Sequence, residues 1–453
     1  MTKQKSIFLI VIITLSFLLS LFFYLGFSYP IEGDAYQYKI IAQNLLYHRV
    51  YSLSEEAPYL PTTFREPGYP VFLAFLLWLF KGKSTAIYLT QIIIFVLTVI
   101  LVYSLSSKIL GEKMARWVAL ITALCPTLAN YPSYLLSETL FTFLLVLFMD
   151  TVLKAAETNK TSWYVCSGFL LGLSALTKSI TVLLFIPIAF SGLLYSGNIN
   201  LFLKRYLKNF TILTLSFLVI IAPWFMRNYT KFGKFSLNLR FSSILWIRGS
   251  KLDYDFKDIK KEIAFSLSEY LGKRLYPEVE ESNRFLLKEA IANGQKIKEW
   301  VNQGYNEAEI DYIQSKEALT KISQRPLKYL SQNLLECLKM SAFLYIPLLN
   351  EPHIIERFNH IKNGEFLISA LRGVLRLLSY LVLFFGFFGF FGERKRWRQW
   401  IFIAALIIYV NLSYSFLFGW GRYSVPLIPF YFMFAVAGVN FIKNKLKVYK
   451  SFT

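Results

Sequence analysis

The chain has 453 residues, 55% of them hydrophobic and 17% charged, with a formal net charge of +21. A soluble enzyme does not carry repeated charge-free runs of about 20 residues, so the composition excludes a soluble class and points to membrane-spanning helices. The basic excess lies mostly between those runs, where it acts as a topology signal and calls for no nucleic-acid partner.

The first run, Ile7 to Tyr29, follows Lys3 and Lys5. It is too long for the apolar core of a signal peptide and no A-x-A site follows, so it reads as an uncleaved span with a cytoplasmic flank. Next comes IEGDAYQYKIIAQNLLYHRVYS. Glu32 and Asp34 stand just past the span, and Ile40, Ile41, Leu45 and Leu46 then recur at helical spacing. Asp is a favoured N-cap, so Asp34 has a structural reading as the cap of that helix. TFREPGYP follows, with Arg65 and Glu66 beside Pro67 and Pro70. The whole stretch, 31–83, reads as an active-site loop at the outer membrane surface.

Further apolar runs are Ser84–Ser107, Trp117–Ser137, Ser179–Leu203, Asn209–Met226, Gln399–Gly421 and Tyr423–Ile442. Basic residues in short loops mark the cytoplasmic side. These are Lys108, Lys113 and Arg116; Lys204, Arg205 and Lys208; Arg394, Lys395, Arg396 and Arg398; and Lys443, Lys445, Lys447 and Lys450, which put the C-terminus inside. Asn130 to Ser137 has no basic residue and reads as external. If Tyr69–Phe80 crossed the membrane, Lys108 to Arg116 would fall outside. That run has only about 12 residues, too few to span, so it should lie along the outer surface as a juxtamembrane helix. The same parity argument keeps Met340–Asn350 from crossing. About ten spans result, seven before Arg227 and three after Leu367.

Arg227 to Cys337 is dense in charges of both signs, and Phe285, Leu286, Ala290, Ile297 and Val301 recur at helical spacing. It reads as an external, largely helical domain. The division is therefore 1–226, 227–366 and 367–453. Cys125, Cys166 and Cys337 lie in or beside apolar runs without CxxC spacing and read as packed thiols. The three histidines, His48, His353 and His360, do not make a zinc site without many carboxylates.

Five motifs recur in order: GDAYQY with REPGYP; SETLFTFL at Glu138; GFLLGLSALTK ending at Lys178; APWFMRNYTKFG around Arg227; and GRYSVPLIP around Arg422. Their order resembles the GT-C fold glycosyltransferases of the protein mannosyltransferase and aminoarabinose transferase-like group (glycosyltransferase family 39-like). The resemblance implies an all-α integral membrane bundle with two surface helices in the first external loop. It also implies inverting transfer of a sugar from a polyprenyl-phosphate carrier. Asp34 sits where this group keeps its catalytic acid.

The residues suit that chemistry. A carboxylate takes the acceptor's proton, and Arg or Lys holds the phosphate as it leaves. Asp34 is the candidate base, and Glu138 is a second acid that positions the acceptor. Glu138 also has a simpler reading as favourable charge at a helix start. Arg65, Lys178, Arg227 and Arg422 fall at outer span ends as phosphate ligands, with snorkelling to headgroups as the alternative. Glu66, Tyr36 and Tyr69 are candidates for substrate contact. No cofactor is required by the sequence; a divalent cation, Mg or Mn, between Asp34 and Glu138 stays open, although oxygen-ligand sites need more carboxylates than these. The expected partners are the carrier-linked donor, a lipid, glycan or protein acceptor, and membrane lipids. The expected location is a bacterial inner membrane, with both termini cytoplasmic. Rival readings are a lipid-linked glycan polymerase or ligase, and a transporter or flippase. The empty middles of the long runs speak against transport.

Overall fold

A computed structural model describes residues 3–267, 269–279, 285–351, 354–355, 364–392 and 397–450. Arg394, Lys395 and Arg396 of the basic loop, and His353 and His360, lie outside the described residues. Among the described residues the chain is helical, with one isolated bridge between Ser52 and Pro61.

The N-terminal part contains α1 (Lys3–Gly26), α2 (Gly33–His48), α3 (Gly68–Leu79), α4 (Ser84–Leu110), α5 (Glu112–Ala123) and α6 (Pro126–Asn130). It continues with α7 (Glu138–Thr158), α8 (Thr161–Thr177), α9 (Phe185–Ser196), the single turn α10 (Ile199–Leu201) and α11 (Leu207–Phe232). Six shorter helices follow: α12 (Arg240–Ser250), α13 (Phe256–Leu267), α14 (Glu269–Leu275), α15 (Phe285–Asn302), α16 (Glu307–Gln324) and α17 (Pro326–Met340). The chain closes with α18 (Gly364–Gly392), α19 (Trp397–Leu417), the turn α20 (Gly421–Ser424) and α21 (Ile428–Lys450).

Eight helical segments among the described residues are long and apolar enough to cross a membrane. They comprise α1, α4, α7, Ser179–Ser196, α11, Phe366–Gly392, α19 and Gly421–Lys447. Two further passages, α5 with α6 and α8, lie between these in the chain, which agrees with a count of about ten. The apolar run from Trp117 to Ser137 is not one helix. It breaks after α5, and Pro126 and Pro132 restart it as two short turns, because proline cannot donate to the preceding turn.

The loop between α1 and α4 holds two helices, α2 and α3. In α2 the residues Ala35, Tyr38, Ile41 and Ala42 form the buried stripe, and Arg49 ends the helix in the left-handed region. Helix α3 is apolar all round, with Tyr69, Leu73 and Leu76 buried and Val71, Phe75 and Trp78 exposed. At 12 residues it spans about 18 Å, well short of a bilayer core. A Cβ on Gly68 would stand 2.7 Å from the Leu176 backbone, so glycine lets α3 start directly against the end of α8.

Met340–Asn350 differs from a surface helix. After α17 ends, Ser341–Ile346 is non-helical and Phe343 and Leu344 are buried in the bundle. Side chains satisfy its backbone: Thr127 pairs with both the Tyr345 N–H and its carbonyl, Asn130 accepts from Leu348 N–H, and Ser379 accepts from Leu344 N–H. Irregular backbone among membrane helices is stable only when its polar groups are met in this way.

Candidate active site

Six elements deliver charged side chains to one place at the loop-bearing end of the bundle. Tyr51 fixes the REP turn by donating to the carbonyls of Arg65 (3.0 Å) and Glu66 (3.1 Å). That turn aims Arg65, 3% exposed, at the first turn of α2. Its guanidinium pairs with Asp34 Oδ1, and its Nε donates to Gln37 Oε1 at 2.7 Å. The Arg65 guanidinium also lies over the rings of Tyr38 and Phe64.

Asp34 does not cap α2. Glu32 occupies the N-cap position, and its side chain makes no capping bond. Asp34 instead meets Arg422 through Oδ2 (3.1 Å) and lies 3.9 Å from Arg240. Burial raises the pKa of Asp34, but Arg65, Arg422 and Arg240 outweigh that and hold its carboxyl well below the usual carboxylate range.

Arg422 bridges the two acids. Its Nε donates to Glu138 Oε1 at 2.5 Å while its Nη1 faces Asp34. Lys178, at the C-cap of α8, donates to the same Glu138 oxygen at 3.1 Å. Glu138 is fully buried. Its Oε2 has no hydrogen-bond partner among the described residues, and Glu138 lines a small cavity with Tyr131, Thr139 and Thr142. Four cations (Arg65, Lys178, Arg240, Arg422) thus surround two carboxylates. The surplus of two positive charges suits an anion, and burial makes each cation count for more than it would in water.

The other sequence candidates fall elsewhere. Glu66 Oε1 accepts from Ser179 Oγ (2.6 Å), Ser179 N–H (3.2 Å) and Asn238 Nδ2 (2.6 Å), so it ties the loop to the turn after α8 and to the segment before α12. Tyr69 is fully buried, and its hydroxyl donates to Gln91. Gln91 in turn donates to the carbonyls of Pro132 and Tyr134. Tyr69 is therefore packing, not an open substrate contact. Tyr36 is exposed and donates to Glu55. It lies two residues from Asp34, about 200° around the helix, and so turns away from the acids. Arg227 donates to the Thr62 carbonyl and lies over Trp224. It braces the loop next to Glu307, which accepts from Thr62 and Thr63, and makes no pair with either acid.

Sequence reasoning missed Arg240, Gln37 and Asn238. Arg240 reaches Asp34 because the chain doubles back after α11. Trp224 Nε1 donates to the Leu237 carbonyl, and Asn228 Nδ2 donates to that of Ser236. The usable signal was the APW..RN motif itself, whose Trp and Asn hold this return.

In this state both acids are occupied by cationic side chains. Among the described residues no three His, Cys, Asp or Glu side chains converge. Between Asp34 and Glu138 stands the Arg422 guanidinium.

Residues 63–226 match the family model described as dolichyl-phosphate-mannose-protein mannosyltransferase. The matched segment includes Arg65, Glu66, Tyr69, Glu138 and Lys178. Comparison with curated protein sequences finds no match. Among solved structures, the chain is similar to the archaeal oligosaccharyltransferase AglB from Archaeoglobus fulgidus in complex with an inhibitory peptide and a dolichol-phosphate. The TM-score is 0.52 at 14% identity, over 100% of this chain and 52% of that one. The apo form of the Archaeoglobus fulgidus oligosaccharyltransferase gives a TM-score of 0.51 at 14% identity, over 100% and 52%. ArnT from Cupriavidus metallidurans bound to undecaprenyl phosphate gives 0.43 at 13% identity, over 98% and 78%. The chain spans about half the length of the oligosaccharyltransferase whose fold it shares. It is a multi-pass membrane protein of the GT-C fold.

Proposed function

We propose that this protein is a membrane glycosyltransferase that moves a hexosyl or pentosyl unit from a polyprenyl-phosphate carrier to a lipid, glycan or protein acceptor. The observation that carries the reading is the cluster of four cations around Asp34 and Glu138, at the end of the bundle that holds the first external loop. The match of residues 63–226 to a lipid-phosphate-sugar transferase family supports it independently.

In this reading the donor phosphate enters between Arg65, Arg240 and Arg422, drawing them from Asp34. The acceptor oxygen attacks the anomeric carbon while the bond from that carbon to the phosphate oxygen breaks. The electron pair leaves with the phosphate, where the arginines hold it bidentately. The acceptor proton passes to Asp34. One displacement inverts the anomeric centre. Asp34 starts with a depressed pKa and is a poor base while it is paired to three arginines. Phosphate binding removes those partners, so basicity rises only when a donor is present. Glu138 holds Arg422 and Lys178 in place. The arginine side chains supply positive charge at the leaving group.

The topology belongs to the same proposal. Lys3 and the C-terminal basic residues face the cytoplasm of a bacterial inner membrane; the loop 31–83 and the segment 227–366 face outward. The test is transfer of radiolabelled sugar in purified membranes supplied in turn with polyprenyl-phosphate hexoses, pentoses and a lipid-linked oligosaccharide. Transfer from a monosaccharide carrier supports the reading. Transfer only from the oligosaccharide carrier replaces it with the polymerase or ligase alternative.

A further inference from the structure

Five ionisable side chains outside the site come together where α12, α13 and α17 meet: Arg248, Lys251, Glu262 and Glu336 are buried and Lys339 is half-buried. Glu336 stands at their centre, and its two oxygens do different work. Oε1 faces all three cations, with Lys339 Nζ at 3.1 Å, Lys251 Nζ at 3.2 Å and Arg248 Nη1 at 3.8 Å. Oε2 accepts from the backbone N–H of Gly419 at 2.9 Å. Glu262 accepts from Lys251 and Lys339 and completes the network.

Gly419 belongs to the turn between α19 and α20, three residues before Arg422. Helix α17 and the residues just after it grip this turn at three points. Tyr329 donates to the Phe416 carbonyl. A Cβ on Gly419 would stand 2.0 Å from the Glu336 carbonyl oxygen, so the two backbones touch. A Cβ on Gly421 would stand 2.6 Å from that of Ala342. The network also anchors the far end of α12, whose first residue is Arg240. Two of the four site cations, Arg240 and Arg422, are therefore carried on elements that meet at Glu336.

A buried network of this kind is weak evidence for stability alone, because desolvation offsets much of its attraction. We propose that Glu336 is a positioning residue. It clamps the 416–421 turn and α12 in one register and so sets the spacing of Arg422 and Arg240 around Asp34. The proposal rests on the transferase reading for its catalytic consequence, while the clamp itself is a structural claim that can be measured without turnover.

The experiment uses the full-length protein in lipid nanodiscs, with two variants. Glu336→Gln keeps the volume and removes the charge. Gly419→Ala keeps every charge and drives a methyl group into the Glu336 backbone. Hydrogen exchange followed by mass spectrometry should show faster exchange over 416–424 in each, with 138–158 unchanged. With the carrier that serves the wild type, each variant should lose about 10²-fold in turnover, the effect of an ångström-scale misplacement. In an Arg240→Lys/Arg422→Lys background the same changes should cost only about twofold, since both positioned guanidinium groups are already gone. A merely structural role would lower activity equally in both backgrounds, and that result overturns the proposal. Unchanged exchange over 416–424 in the folded variants overturns it too. If Glu336→Gln does not fold, Gly419→Ala decides alone. If the wild type transfers nothing from any carrier, the transferase reading fails and the exchange data still judge the clamp.

Discussion

Asp34→Asn separates the chemistry of the site from its architecture. The substitution keeps size and removes one charge. Since Asp34 does not cap α2, no helix end is lost. What is lost is the partner of a buried arginine. Arg65 is 3% exposed and keeps only Gln37 as a side-chain acceptor. Breaking a buried pair from one side costs about 3–5 kcal/mol, but Asp34 is 26% exposed and its own share is screened. Loss of one hydrogen bond to a charged group, about 1.5–3 kcal/mol, is the better guide. Turnover should fall much further, by roughly 10²–10⁴-fold, the contribution of a positioned general base. The assay is sugar transfer from the carrier at 25 °C, normalised to folded protein, beside a thermal unfolding curve. The folded pKa of Asp34 lies below its ordinary 3.8, so its stabilising contribution is complete above about pH 4 and is lost as pH falls towards the folded value. The difference between wild type and variant should therefore be constant from pH 8 to about pH 5 and shrink in stronger acid. Wild-type turnover in Asp34→Asn would refute the base assignment and move it to Glu138.

Arg65→Lys should keep the charge but lose the fork that spans Asp34 and Gln37, leaving turnover at least about tenfold below wild type; Arg65→Ala should also weaken binding of undecaprenyl phosphate, measured by ligand-induced thermal shift. Tyr69→Phe should leave the KM for the donor unchanged and lower stability by about 1–3 kcal/mol, because Gln91 loses its donor in a buried site; a raised KM with intact stability would return Tyr69 to the substrate. In a background without Cys125, Cys166 and Cys337, Lys83→Cys should react with an impermeant thiol reagent from outside and Lys113→Cys should not. The opposite pattern would invert the proposed topology.

Charge position made much of the site legible. Asp34, Arg65, Glu138, Lys178 and Arg422 are ionisable residues at the ends of apolar runs, where an unpaired charge is costly and a partner is expected. The structure brings these five together. Arg227 shares that signature and pairs elsewhere, donating to the Thr62 carbonyl. Arg240 was legible only indirectly, through the APW..RN motif. It sits in a segment of dense mixed charge, and its reach to Asp34 depends on side chain-to-backbone bonds made by Trp224 and Asn228 many residues earlier. The break in Trp117–Ser137 was written in Pro126 and Pro132, but apolar length masked it. The buried course of Ser341–Ile346 was not readable, because Thr127, Asn130 and Ser379, which satisfy it, are remote in sequence.

The resting arrangement poses a problem that the proposed function resolves. An acid paired with Arg65 and Arg422 and approached by Arg240 is well suited to holding those arginines in place and poorly suited to taking a proton. General bases work best with a pKa near the working pH, which Asp34 lacks in this state. A phosphate diester carries its charge on two oxygens and matches guanidinium groups bidentately, so it competes directly for the arginines that depress Asp34. Glu138 is the reason they do not simply leave with it. It is fully buried and bound to both Arg422 and Lys178. In the proposed function the two carboxylates have separable duties: Glu138 retains the cations, and Asp34 gives them up. An acceptor arriving before the donor would meet an Asp34 that is still neutralised, so donor binding would have to precede proton transfer.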